Sequence, residues 1–201
     1  MRFPSLFCLA SFLILGMISP ARADDVAVQI EAARAAYGKG DPLHALAALQ
    51  AATLQLNQNL VGQFGKLLPV APRGWVSSAP ELQALDGAGG GLEVTEAYSK
   101  GEATLNVSLI IDNPAVASSM AMVQEASRQS LRPGWSKVKL GTDDAVLRFD
   151  PQTRAGEVVM VIGDRALLQI EGNEITKDDV LLEAARGWNL GALRKLIGIG
   201  S

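Results

Sequence analysis

Residues 144–173 read DAVLRFDPQTRAGEVVMVIGDRALLQIEGN, and turn-forming residues divide this stretch into three apolar-rich segments. The segments are 144–150, 157–164 and 166–173. Proline and glycine mark the first connection, and Gly163-Asp164 favours a tight turn at the second. Because consecutive strands joined by short turns pair antiparallel, we expect an antiparallel meander here.

The same pattern extends toward the N-terminus of this meander. Residues 103–112 place Leu105, Val107, Leu109 and Ile111 on one face of a strand. Further strands are predicted at 92–99 and 135–141, and a short strand is predicted to begin at Trp75. One helix is predicted after Asp112-Asn113-Pro114. Another is predicted after Thr176, with a break at Gly187. The predicted fold class is therefore α+β, with a mainly antiparallel sheet covered by two helices.

Residues 25–68 have a different character and predict an αα-hairpin packed on or beside that sheet. Val26, Ile30, Ala33 and Tyr37 share one face of the first helix. Glycines end that helix, and Asp41-Pro42 provides an N-cap and a first helical residue for the second. An apolar stripe then runs along the second helix through Leu43, Leu46, Leu49, Thr53, Leu56 and Leu60.

The hairpin resembles one unit of a tetratricopeptide repeat over residues 32–52. Six residues match the spacing of that family: Tyr37, Gly40, Asp41, Ala45, Leu49 and Ala52. The Trp-x-x-Leu-Gly signal that opens the family's first helix is missing, and the unit occurs once. Since about three repeats are needed to bury a continuous core, the resemblance implies a docking hairpin.

Residues 70–199 resemble the PsbP/Mog1-like α/β/α sandwiches in the order of their elements. The segment Pro72-Arg73-Gly74-Trp75 opens the first strand, as in that group. The group includes exported bacterial proteins, and the resemblance implies an accessory or binding duty without transferring any functional residue. The predicted organisation is a leader at 1–23, a helical hairpin at 24–68 and a sandwich domain at 69–201.

The N-terminus predicts a secretory signal peptide. Arg2 precedes an apolar run at 6–18, and Ala21-Arg22-Ala23 offers small residues to a signal peptidase, so cleavage is expected before Asp24. The run is shorter than the roughly 20 residues of a membrane-spanning helix, which favours a cleaved leader over an anchor. We therefore expect a periplasmic protein without a transmembrane span after cleavage.

Cleavage would also change the composition. It would remove Cys8, the single cysteine, together with Arg2 and Arg22, and change the formal net charge from −3 to −5. An acidic chain lacks the electrostatic footprint of a nucleic-acid-binding protein. With His44 as the single histidine and no cysteine left, the sequence predicts no metal site, no cofactor and no nucleophile–histidine triad.

Two other kinds of site remain open in the sequence. Glu93 with Glu96, or Glu102 with Asp112, could share a sheet face as paired carboxylates. Trp75 and Trp135 each follow a glycine at a strand start and could line an apolar pocket at one end of the sheet, although packing over the core also explains them.

The absence of catalytic motifs favours a non-enzymatic accessory protein that binds an envelope protein or a small apolar ligand. The predicted partner-binding residues are Tyr37, Leu43 and His44 on the hairpin, and the predicted pocket residues are Trp75 and Trp135. The alternative is a periplasmic hydrolase that uses carboxylates. It requires two convergent acids, one of them with a raised pKa.

Overall fold

The computed structural model describes residues 23–128 and 134–199. They belong to two compact units, one ending at Gln55 and the other beginning at Leu56. Residues 1–22 of the predicted leader, and residues 129–133 after the helix predicted to follow Pro114, lie outside the described residues.

The predicted α+β class is confirmed: the chain forms two packed helices and then an antiparallel sheet with further helices. The helices are α1 (Ala23–Gly38), α2 (Pro42–Phe64), α3 (Pro114–Arg128), α4 (Asp179–Arg186) and α5 (Leu190–Leu196). The strands are β1 (Val76–Ser77), β2 (Glu81–Ala84), β3 (Leu92–Lys100), β4 (Ala103–Ile111), β5 (Trp135–Leu140), β6 (Asp143–Asp150), β7 (Ala155–Ile162) and β8 (Ala166–Asn173).

The turn between α1 and α2 forms as the sequence predicts. Gly40 has a φ of 78°, in the left-handed region that glycine tolerates. The backbone N–H of Asp41 donates to the Ala36 carbonyl at 3.0 Å, which closes the end of α1. The Asp41 carboxylate then accepts the backbone N–H of His44 at 3.2 Å, which confirms Asp41 as the N-cap of α2.

Small side chains occupy the inside of the hairpin. Val26 and Ala33 of α1 and Ala45 and Ala52 of α2 are buried. The other residues of the two predicted stripes behave differently. Leu60 is partly buried, and the others are exposed: Ile30, Tyr37, Leu43, Leu46, Leu49, Thr53 and Leu56. The helix contact is thus made through alanines, and the large side chains flank it.

The sheet has eight strands in the order β1-β3-β4-β8-β7-β6-β5, with β2 also paired to β3. All pairings are antiparallel. The short strand β2 is not among the strands predicted from the sequence. Its sequence, Glu-Leu-Gln-Ala, alternates polar and apolar residues, but four residues are too few for a distinct strand signal, and three of the four are exposed.

Each face of the sheet carries its own apolar core. One core contains Leu105, Val107 and Leu109, whose predicted inward orientation is confirmed because all three are fully buried. Helices α4 and α5 cover it, and the break between them falls at Gly187, as predicted. On the opposite face, Val116 of α3 packs with Val159 of β7 in the second core.

Candidate functional site

The hairpin tip is the surface formed by Tyr37, Leu43 and His44. Tyr37 lies near the end of α1, and the other two lie in the first turn of α2. Their exposed fractions are 75% for Tyr37, 78% for Leu43 and 81% for the His44 side chain. The structure therefore places the three predicted partner-binding residues together around one turn, with their side chains accessible.

The turn orients His44. Its ring nitrogen Nδ1 lies 2.6 Å from Oδ2 of Asp41, while the other oxygen of that carboxylate caps the helix. Hydrogen bonding, first from the His44 backbone N–H and then from its ring, lowers the pKa of Asp41. The carboxylate remains ionised at neutral pH and restrains the imidazole beside the exposed Leu43.

Exposed large hydrophobic side chains concentrate in the first unit. Seven of the eleven among the described residues belong to it: Val28, Ile30, Tyr37, Leu43, Leu46, Leu49 and Leu54. The remaining four are spread over the much longer second unit. Exposed apolar surface marks an interaction site where the side chains are contiguous, whereas isolated exposed leucines do not.

A cavity of about 510 Å³ lies beside Trp75 in the second unit. Loops from one end of the sheet form its walls, together with the start of α4. Its charged residues are Arg73, Lys100, Arg154 and Lys177 on the basic side and Glu102, Glu174, Asp179 and Glu183 on the acidic side. The apolar part of the lining comes from Trp75, Ala103, Ile175 and Val180.

Two residues of this cavity have unusual backbone conformations. Arg154 has a φ of 55° and Glu174 a φ of 54°, in the region that non-glycine residues rarely adopt. An ion pair of 2.8 Å joins their side chains, and the Arg154 guanidinium also donates to the Glu174 carbonyl at 2.9 Å. Sequence reasoning missed this pair, because no residue pattern signals a left-handed arginine or glutamate.

Trp75 and Trp135 are not brought together. Trp75 directly precedes β1 and Trp135 begins β5, so five strands lie between them, or about 29 Å of sheet. They also pack against different cores. Trp135 instead lies under the Arg148 guanidinium, whose central carbon is 5.4 Å from the ring centroid. The prediction of a shared pocket is therefore wrong.

The carboxylate pairs suggested by the sequence are separated as well. Glu93 and Glu96 are three residues apart on β3, so their side chains leave opposite faces of the sheet. Glu102 precedes β4 and Asp112 follows it, about 30 Å away along the strand. Burial raises the pKa of Glu96, but its hydrogen-bonding neighbours are Ser77 and Tyr98 rather than a second acid.

Within the described ranges, no group of three or more His, Cys, Asp or Glu side chains is arranged to hold a metal ion. None of the helices in those ranges is both long and apolar enough to cross a membrane. No protein-family model matches the chain, and no similar protein was found among curated sequences or solved structures.

Proposed function

We propose that this chain is an exported, non-enzymatic binding protein that docks an envelope protein through the hairpin tip. The observation that carries the proposal is the exposure of Tyr37 and Leu43 around a turn held by Asp41 and His44. An exposed aromatic ring beside an exposed leucine offers apolar area at a fixed position, and tyrosine is enriched among residues that dominate binding energy.

A protein partner is favoured over the other two predicted functions. Eight charged side chains of both signs line the cavity beside Trp75, which favours a polar ligand there over a small apolar one. The carboxylate hydrolase required two convergent acids, and the suggested pairs lie on opposite faces or at opposite strand ends. At the tip, apolar side chains and a fixed geometry coincide.

Export is the second part of the proposal and has a direct test. Cleavage before Asp24 would remove one residue of α1. N-terminal sequencing of protein recovered from the periplasmic fraction should begin at Asp24. An intact Met1 on protein from the cytoplasm would contradict export.

The docking site can be tested by photocrosslinking from defined positions. A photoreactive phenylalanine analogue at Tyr37 should give one discrete adduct with an envelope protein. The same analogue at Val70, which is 87% exposed in the second unit, is the matched control and should give none. Leu43→Asp should abolish the Tyr37 adduct while leaving the circular dichroism spectrum unchanged.

Two results would contradict docking at the tip. One is an equal yield of adducts from positions 37 and 70, which would indicate unspecific contact. The other is an adduct from position 37 that contains only copies of this chain, which would indicate self-association through the tip.

A further inference from the structure

The cavity beside Trp75 is built on a single row of residues at one end of the sheet. The register of β3 with β4 pairs Lys100 with Ala103. Continued by one residue, the register of β1 with β3 adds Trp75 beside Lys100. On the other side of the row, the registers of β8 with β4 and β7 add Glu174 and then Arg154. All five residues line the cavity.

The row points toward α4. Residues two positions apart on a strand lie on the same face of a sheet. Lys100 is two positions from the fully buried Tyr98, and Ala103 is two positions from the fully buried Leu105. Both buried residues belong to the core that α4 and α5 cover, and Trp75 packs against that core. The start of α4 therefore supplies the wall of the cavity that faces this row.

One end of the row is held in a strained conformation. Arg154 and Glu174 have left-handed φ angles of 55° and 54°. Their ion pair holds two strand ends together, and so does the Ile175 backbone N–H, which donates to the Arg154 carbonyl at 2.9 Å. Residues persist in such conformations only where their surroundings fix them, and they concentrate at ligand sites. Because the two charges neutralise each other, this pair shapes the cavity and leaves the other charges to bind a ligand.

The other six charged residues of the lining form no ion pair within the described part of the chain. They divide between two walls. The strand wall has a formal net charge of +1 and consists of Arg73, Lys100 and Glu102. The helix wall has a formal net charge of −1 and consists of Lys177, Asp179 and Glu183. An unpaired surplus of each sign suits a ligand with one carboxylate and one ammonium group.

Each wall brings two like charges close together. The Lys100 ammonium nitrogen Nζ is 3.7 Å from the position that a Cβ would take on Gly74, so it lies beside the residue that follows Arg73. Asp179 and Glu183 are four residues apart in α4, and side chains with this spacing are neighbours on a helix. The first pair can bind a carboxylate from two directions, and the second pair can bind an ammonium group in the same way.

The separation of the walls sets the length of the ligand. Lys100 ends β3, whereas α4 packs against β7 and β8, so the walls are at least two strand spacings apart in the sheet. Neighbouring strands lie about 4.8 Å apart, which makes this separation about 10 Å. Three extended residues of a peptide also span about 10 Å. The cavity volume of about 510 Å³ is in the range of pockets that hold small organic ligands.

We propose that this cavity binds a short peptide of about three residues with free termini. The peptide carboxylate would bind Arg73 and Lys100 on the strand wall. The peptide ammonium group would bind Asp179 and Glu183 on the helix wall. Between the walls, the side chains of the peptide would contact the apolar part of the lining. The site shares no residue with the hairpin tip, so it is independent of docking there.

Binding of trialanine to the purified chain, measured by isothermal titration calorimetry, tests the proposal. Trialanine should bind with a one-to-one stoichiometry. Acetylation of its N-terminus removes the ammonium group, and amidation of its C-terminus removes the carboxylate. Each change should weaken binding about tenfold or more, because hydrogen bonds to a charged group are lost. Free alanine should also bind at least about tenfold more weakly, since one carbon joins its charged groups and it cannot reach both walls.

Variants of the two walls identify which end of the peptide each one binds. Lys100→Gln should weaken the binding of trialanine about tenfold and should not affect the binding of its C-terminal amide. Glu183→Gln should weaken trialanine by a similar factor and should not affect the N-acetylated form. Lys195→Gln and Glu81→Gln are matched controls, because both residues are exposed and lie outside the cavity. Both controls should bind trialanine like the unmodified chain.

Three results would overturn the proposal. The first is the lack of saturable binding of trialanine to the unmodified chain. The second is binding of the acetylated and amidated forms as tight as that of trialanine itself, which would mean that the charged walls do not recognise the termini. The third is an equal effect of Lys100→Gln and Lys195→Gln, or of Glu183→Gln and Glu81→Gln, which would place the peptide outside the cavity.

Discussion

Arg165 binds Asp112 through two parallel hydrogen bonds. Its Nε donates to Oδ1 at 2.7 Å and its Nη2 donates to Oδ2 at 2.6 Å. The pair joins the end of β4 to the turn before β8, and Nη1 of the same arginine donates to the Ile197 carbonyl after α5. One side chain therefore connects two neighbouring strands to the closing helix.

Asp112→Asn should weaken this connection and remove its pH dependence. The arginine lowers the pKa of Asp112, chiefly through the side-chain hydrogen bond. The stabilisation is therefore present above the ordinary carboxyl pKa of 3.8 and is lost as the pH falls through the lower pKa of the folded state. Since the side chain is half exposed, we expect a loss of about 1 kcal/mol or less at neutral pH.

The measurement is urea unfolding of both chains between pH 2 and 7. Asparagine suits the φ of 55° at this position, so the variant changes charge rather than backbone strain. The free energies of unfolding of the unmodified chain and of Asp112→Asn should converge at low pH. A difference that does not change with pH would contradict a stabilising ion pair between Asp112 and Arg165.

Alanine substitutions at two glycines of the loop before β3 can distinguish the cost of backbone strain from the cost of steric overlap. Gly90 and Gly91 both have a φ of 90°. A Cβ on Gly90 meets no atom within 4 Å, whereas one on Gly91 would overlap the Ile111 carbonyl oxygen and lie 2.8 Å from that of Asp112. Gly90→Ala should cost about 1 to 3 kcal/mol through strain, and Gly91→Ala about 1 to 3 kcal/mol more.

Thermal unfolding of the two alanine variants measures this difference directly. Asn113 fixes the loop, because its amide donates to the carbonyls of Ala88 and Gly90 at 3.0 and 2.6 Å. An equal loss of stability in Gly90→Ala and Gly91→Ala would mean that the loop shifts to make room for the methyl group at position 91.

Tyr98→Phe should destabilise the second unit. The Tyr98 hydroxyl is fully buried and donates to the Pro69 carbonyl. Removing it leaves a buried carbonyl without this donor, at a cost of about 1 to 3 kcal/mol in the free energy of unfolding.

The stability lost in Tyr98→Phe should depend on pH in a defined direction. Burial, with the Glu96 charge as the second cause, raises the pKa of Tyr98 above its ordinary value of 10.0. Above pH 10 the unfolded chain releases this proton while the folded chain retains it, so the advantage of tyrosine over phenylalanine should shrink as the pH rises. Denaturant unfolding at pH 8 and pH 11 tests it, and a growing advantage would contradict the burial of the hydroxyl.

Substitutions at Asp41 should separate its two roles in the hairpin. Asn caps helices as well as Asp does, whereas Ala cannot. We expect the helical circular dichroism of Asp41→Asn to melt close to that of the unmodified chain, and that of Asp41→Ala to melt at a lower temperature. If the melting temperature fell equally in both variants, the contact with the His44 ring rather than the helix cap would stabilise the turn.

The sequence predicted local structure correctly where residues close along the chain determine it. The alternation Leu105, Val107, Leu109 predicted which face of β4 is buried, because side chains alternate in any strand. Asp41 before Pro42 predicted a helix start, since only nearby backbone groups take part in capping. The same reasoning placed Tyr37, Leu43 and His44 around one turn.

Distant relationships required the tertiary structure. Trp75 directly precedes β1 and Trp135 begins β5, and the order of strands places them at opposite edges of the sheet. Local spacing carries no information about that order. The stripes of the hairpin likewise predicted apolar faces but not which members are buried. Alanines form the contact because small side chains let two helix axes approach closely, and this leaves Ile30 and Leu49 exposed.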